Sequence, residues 1–101
     1  MAIAEITFVP IGTKNTSCSS YVAKALDVLE QENQVEYQLN PMGTVITAAT
    51  PMALYEVIAK MQECLFEDGI QRLYTVIKMD DRRDKESSLD GKLQSVAEKR
   101  G

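Results

Sequence analysis

The stretch YQLNPMGTVITAAT, Tyr37 to Thr50, decides how the chain reads. Asn40-Pro41-Met42-Gly43 carries Asn at position i, Pro at i+1 and Gly at i+3, the residue pattern of a type I turn. Val35, Tyr37 and Leu39 alternate before it, and Val45, Ile46 and several threonines follow. The segment therefore reads as two strands, about 35–39 and 44–50, joined by a tight connection.

Working outward, residues 2–10 (AIAEITFVP) alternate, with Ala4, Ile6 and Phe8 on one face and Ile3, Glu5, Thr7 and Val9 on the other, and Pro10 ends the strand. A polar loop follows. After it, Val22, Ala25, Leu26 and Leu29 at i, i+3, i+4 and i+7 predict an amphipathic helix of about four turns. On the other side of the hairpin, Thr50 supplies an N-cap and Pro51 the first helical position. Leu54, Val57, Ile58, Met61 and Leu65 then form an apolar stripe that Gly69 brings to a stop. IQRLYTVIKMD, residues 70–80, predicts a fourth strand. DRRDKESS is a charged connector. Ser87 to Asp90 offers a helix start, and Leu89, Leu93, Val96 and Ala97 predict a short third helix whose stripe must cover something.

The order is β-α-β-β-α-β plus a terminal helix, the ferredoxin-like α+β sandwich: one four-stranded antiparallel sheet with two helices on one face. A chain of 101 residues forms one such domain, 1–101. Two helices cover one face only, and the other has apolar candidates in Val9 or Phe8, Ile77 or Val76, and Val45 or Ile46. A monomer rarely leaves such a patch wet, so a homo-oligomer built from symmetric dimers is expected.

Composition narrows the function. A net charge of -4 argues against a phosphate-backbone ligand, because nucleic-acid affinity rests on clustered Lys and Arg. An RNA-recognition module shares the strand order, but it needs aromatics on its central strands and a basic segment, and the fourth strand here offers only Tyr74. No apolar run approaches the roughly 20 residues needed to span a bilayer, and no basic segment precedes the first strand. Cys18 and Cys64 match neither a metal knuckle nor a redox pair, so a soluble protein of the reducing cytoplasm is expected. The chain has no histidine, which removes the usual general base and the usual metal ligand.

Several groups could carry a site. Tyr37 and Asn40 approach the hairpin turn and Thr44 leaves it, so an aromatic face, an amide and a hydroxyl could converge on a small planar ligand; the plain alternative is a turn and nothing more. The loop from Pro10 to Ser20 leads into a helix N-terminus, where Ser17, Ser19 or Ser20 either caps the helix or meets polar ligand atoms. Gly12 stands alone there, so no phosphate-binding P-loop is present. Cys18 lacks a histidine to activate it, and Cys64 reads as a small core residue. Asp80, Asp81 and Asp84 fail the spacing of a calcium loop and read as a solvated or interface cluster.

With these segments in place, the chain resembles the thiamine-binding-protein family of small ferredoxin-like proteins. The resemblance is carried by VPIGT, SSYVAKALDVL, YQLNPMGTVI, RLYTVIKMDDRRDK and LDGKLQSVAEK, which together span nearly the whole chain. It implies a tetramer built from dimers whose sheets pair, binding thiamine or its hydroxymethylpyrimidine moiety without turnover. It also implies site residues: Tyr37, Asn40, Met42, Gly43 and Thr44 in the hairpin motif, and Ile11, Gly12 and Thr13 after the first strand, to which Ser19 is added from the helix start. No cofactor or metal is called for. Two alternatives stay open: a small oligomeric isomerase or lyase using Asp80, Asp81 or Tyr37 as acid or base, and a structural or regulatory oligomer with no small-molecule site.

Overall fold

The computed structural model describes residues 1–13, 19–84 and 89–100, so Cys18 and Ser17 lie outside the described residues. The order is β1 (Ala2–Pro10), α1 (Ser19–Glu30), β2 (Val35–Asn40), β3 (Gly43–Ala48), α2 (Pro51–Glu67), β4 (Leu73–Asp81) and α3 (Leu89–Arg100). The four strands form one sheet in the order β2-β3-β1-β4, and β1 runs antiparallel to both of its neighbours. This is the expected ferredoxin-like sandwich.

Register assigns each side chain to a face. Ala4 lies opposite Ile46 and Met79, so the even residues of β1 share their side with the even residues of β3 and the odd residues of β4. That side meets the helices. Ile6, Leu29, Ile46, Leu54 and Met61 are almost wholly buried there, joined by Ala4 and Ala25. The open face therefore carries Val9, Val76 and Val45, and of the pairs weighed from sequence Phe8, Ile77 and Ile46 point to the helix side.

The second helix is built as its sequence requires. Thr50 adopts extended backbone (φ −131°, ψ 152°), its hydroxyl accepts the N–H of Ala53 at 3.3 Å, and Pro51 takes the first helical position, where no N–H is needed. Leu54, Val57, Ile58, Met61 and Leu65 are buried, one stripe at helical spacing. At the other end Gly69 enters the left-handed region at φ 95°, and its N–H reaches the carbonyl of Phe66 at 3.0 Å. Cys64, expected as a core residue, is half-buried.

The structure differs from the sequence reading at three places. β3 stops at Ala48, leaving Thr50 free to cap α2. β4 begins at Leu73, three residues later than expected, because Ile70 to Arg72 form a connection alongside the end of β1. The third surprise is α3, whose residues 91–100 are all exposed, with Leu93 64% and Val96 56% accessible. Among the described residues nothing covers Leu93 and Val96.

Candidate functional site

Because β1 and β4 are antiparallel, Pro10 sits beside Leu73, and the chain leaving β1 meets the chain entering β4. The N–H of Ile11 donates to the carbonyl of Arg72 at 3.0 Å, tying the two connections together. The first turns of α1 bring in Tyr21, and the end of α2 brings in Asp68 and Gly69. These walls frame a half-open cleft of about 610 Å³. That volume lies within the range of small-molecule sites, roughly 300–1,000 Å³.

The cleft is part apolar and part charged. Ile11 and Ile70 supply hydrocarbon, with Ile70 itself buried, and Tyr21 supplies an aromatic flank. Gly12 and Gly69 lie in the left-handed region at φ 82° and 95°, and no described residue stands within 4 Å of where a Cβ would be on either. Both therefore take a backbone conformation that favours glycine, with open space beside it. The carboxylate of Asp68 accepts a hydrogen bond from the ammonium of Lys24 on α1, and that bond holds the Lys24 pKa above its ordinary value. Arg72 and Gln71 complete the lining, together with Thr13. A flat heterocycle could lie against the aliphatic and aromatic walls while the rim offers an acceptor and a guanidinium donor.

The nine residues expected at a site fall in three places. Ile11, Gly12 and Thr13 line the cleft. Ser19 begins α1. Tyr37, Asn40, Met42, Gly43 and Thr44 belong to the β2–β3 hairpin and do not line it. Register explains the separation. Thr44 pairs with Ile6, and the turn reaches only as far as Thr7, whose hydroxyl donates to the Met42 carbonyl at 3.1 Å. From Thr7 to Ile11 is about 13 Å of extended chain, and the cleft opens toward β4 whereas the hairpin lies on the β3 side.

At the hairpin the polar groups are engaged locally. The Tyr37 hydroxyl donates to Glu30 Oε1 at 3.2 Å, and partial burial followed by that bond raises the phenol pKa above its usual value. The Asn40 Oδ1 accepts from Gln38 Nε2 at 3.2 Å, Met42 is 84% exposed, and Thr44 is buried. Neither Pro41 nor Met42 has positive φ, which excludes turn types I′, II and II′ and agrees with the type I pattern. Gly43 is not in the left-handed region either. Its lack of a side chain is required by proximity, since a Cβ would lie 3.2 Å from Glu5 Cγ, the Ile6 carbonyl oxygen and Thr7 Oγ1.

The acidic candidates lie elsewhere again. Asp80 and Asp81 pair with Ile3 and Ala2, at the end of the sheet away from the cleft, about 26 Å along β1 from Pro10. Asp81 accepts from Arg83 Nη2 at 2.7 Å, which holds its carboxyl below the usual carboxylate range, and Asp80 is ion-paired with Lys92 on α3. Among the described residues no group of three His, Cys, Asp or Glu is arranged to hold a metal ion.

Tyr21, Asp68, Gly69, Ile70, Gln71 and Arg72 are the cleft residues that the sequence reading did not single out. The signal was topological: in this strand order the end of β1 and the start of β4 are neighbours, so Gly12 and Gly69 flank one space.

The model of the family described as "Thiamine-binding protein" matches residues 4–97. The Bacillus subtilis UPF0045 protein YqgV is 43% identical over 99 residues, covering 95% of this chain and 94% of its own. A UPF0045 protein of Methanothermobacter thermautotrophicus is 42% identical, covering 98% and 99%. Among solved structures, the hypothetical protein MJ1052 of Methanocaldococcus jannaschii superposes with a TM-score of 0.84 at 29% identity, covering 96% of each chain. A Thermotoga maritima protein provisionally assigned to thiamine biosynthesis or salvage shares the fold, with a TM-score of 0.75 at 13% identity over 94% of this chain and 97% of its own.

Proposed function

The chain belongs to the thiamine-binding protein family, and from that premise we propose that it binds thiamine or the hydroxymethylpyrimidine part of it, without turnover, in the cleft between Gly12 and Gly69. The observation that carries this reading is the pairing of apolar walls with one carboxylate in a half-open space of about 610 Å³. The aminopyrimidine ring lies against Tyr21, Ile11 and Ile70. Its amino group donates to Asp68, whose carboxylate also accepts from Lys24, and the thiazolium, being a cation, is attracted by the acidic chain as a whole. Ile11, Gly12 and Thr13 keep the role expected of them. The hairpin residues act one step away, Gly43 by letting the turn close against β1 and Tyr37 by tying β2 to α1.

We further propose that the protein works as a homotetramer built from dimers. Support comes from the exposed apolar residues at two places: Leu93 and Val96 on α3, and Val9, Tyr74 and Val76 on the open sheet face. Among the described residues no helix is long and apolar enough to cross a membrane. The acidic balance favours a small-molecule ligand over nucleic acid, and the half-buried free thiol of Cys64 suits the cytoplasm.

Titration calorimetry against thiamine and hydroxymethylpyrimidine tests the binding. Saturable heat is expected for both, and Asp68→Asn should lower affinity about 10- to 100-fold, the worth of a hydrogen bond to a charged group. No heat up to millimolar ligand at two temperatures would contradict the reading.

A further inference from the structure

The cleft contains a charge that no described residue answers. Asp68 is matched by Lys24, so that pair is neutral. Arg72 has no carboxylate partner among the described residues, in a chain where Asp and Glu outnumber Lys and Arg by 15 to 11. Arg82 and Arg83, by contrast, each hold an aspartate, Asp84 and Asp81, at 2.6 and 2.7 Å. Asp68, Arg72 and Lys24, the partner of Asp68, together carry one net positive charge, against −4 for the whole chain.

The backbone at Arg72 is fixed. Its carbonyl receives the Ile11 N–H at 3.0 Å, so its side chain starts from a defined point on the cleft wall beside Gly12. The space beside Gly12 and Gly69 is empty of side chain, which leaves room for ligand atoms to lie close to the main chain. A guanidinium offers paired N–H donors in a planar fork, matched to two oxygens of one anion. The free alcohols thiamine and hydroxymethylpyrimidine have no such group. Their phosphate esters do.

We infer that the cleft prefers a phosphomonoester over the corresponding free alcohol, with Arg72 gripping the phosphate while Asp68 and Tyr21 hold the heterocycle. This inference rests on the proposed thiamine-type ligand and adds the state in which it is bound. The phosphate can sit on the pyrimidine side or on the thiazolium side of such a ligand. The shared chemistry is a dianionic ester within reach of one arginine.

The test is a competition series with the intact protein: hydroxymethylpyrimidine against its monophosphate, thiamine against thiamine monophosphate, and inorganic phosphate alone. At least one ester should bind about tenfold or more tightly than its alcohol, as expected for a charge-assisted bidentate contact. Whichever pair shows the gain identifies the side that carries the phosphate. Arg72→Gln should abolish that gain, read as the ratio of ester to alcohol affinity, Arg72→Lys should restore part of it, and added salt should shrink it. If the alcohols bind and neither ester gains, or if the gain survives Arg72→Gln, the Arg72 inference falls and the thiamine reading stands. If neither alcohols nor esters bind, or if inorganic phosphate alone binds as tightly as the esters, the reading beneath it falls as well.

Discussion

The hairpin tip and the cleft both depend on glycine, for opposite reasons. At Gly43 the backbone is ordinary and the surroundings are full: a Cβ would meet three atoms at 3.2 Å, one of them the Ile6 carbonyl oxygen. At Gly12 and Gly69 the backbone is special, at φ 82° and 95°, and the surroundings are empty. A glycine with no room beside it is part of the packing. A glycine with open space beside it leaves a place that another molecule can fill.

The sharpest way to break this contrast is Gly43→Val. Overpacking against fixed backbone costs about 1–3 kcal/mol, so the urea midpoint should fall clearly, while the protein that remains folded binds ligand normally. An unchanged midpoint would show that the turn can simply move away from β1.

Gly69→Ala should cost somewhat less, about 1–2 kcal/mol, because only the left-handed conformation is penalised and no neighbour is struck. The two variants thus separate packing from conformation. If Gly69→Ala proved the more damaging by far, the space beside Gly69 would not be open.

Tyr37 gives a pH-dependent handle on the hairpin. Its phenol pKa is raised in the fold above the ordinary value of 10.0, first by burial and then by the bond to Glu30. A raised acid is stabilising while it stays protonated, so this contribution is complete below pH 10 and is lost as pH climbs through the folded value. Melting temperature should therefore decline more steeply above pH 10 in the parent than in Tyr37→Phe. Identical alkaline limbs would remove the phenol from the account. Asn40→Ala should have the smallest effect, with ligand affinity within about twofold of the parent, since its amide oxygen is engaged by the exposed side chain of Gln38.

Much of the fold was legible because its signals are local. Thr50-Pro51, the stripe from Leu54 to Leu65 and the stop at Gly69 are each set by neighbours a few residues away, and the structure builds α2 as they require. Asn40-Pro41-Met42-Gly43 likewise gives a turn without positive φ at its two central residues. The faces of the apolar alternation were harder to read, because Phe8 and Val9, or Val76 and Ile77, are equally apolar; only register decides which member of each pair turns toward the helices. The cleft was half legible. Ile11, Gly12 and Thr13 stand out in one segment, whereas Asp68 to Arg72 look like the end of a helix and the start of a strand until the antiparallel pairing of β1 with β4 brings them alongside. Nor does the pattern of α3 reveal that Leu93 and Val96 stay exposed among the described residues.

The most direct measurement is an amide chemical-shift map of the protein titrated with thiamine. The largest perturbations should gather at Gly12, Thr13, Tyr21 and Gly69 to Arg72, while the amides of Asn40, Met42 and Gly43 barely move. Perturbations centred on the hairpin with a silent cleft would contradict it, and would return the binding site to the turn.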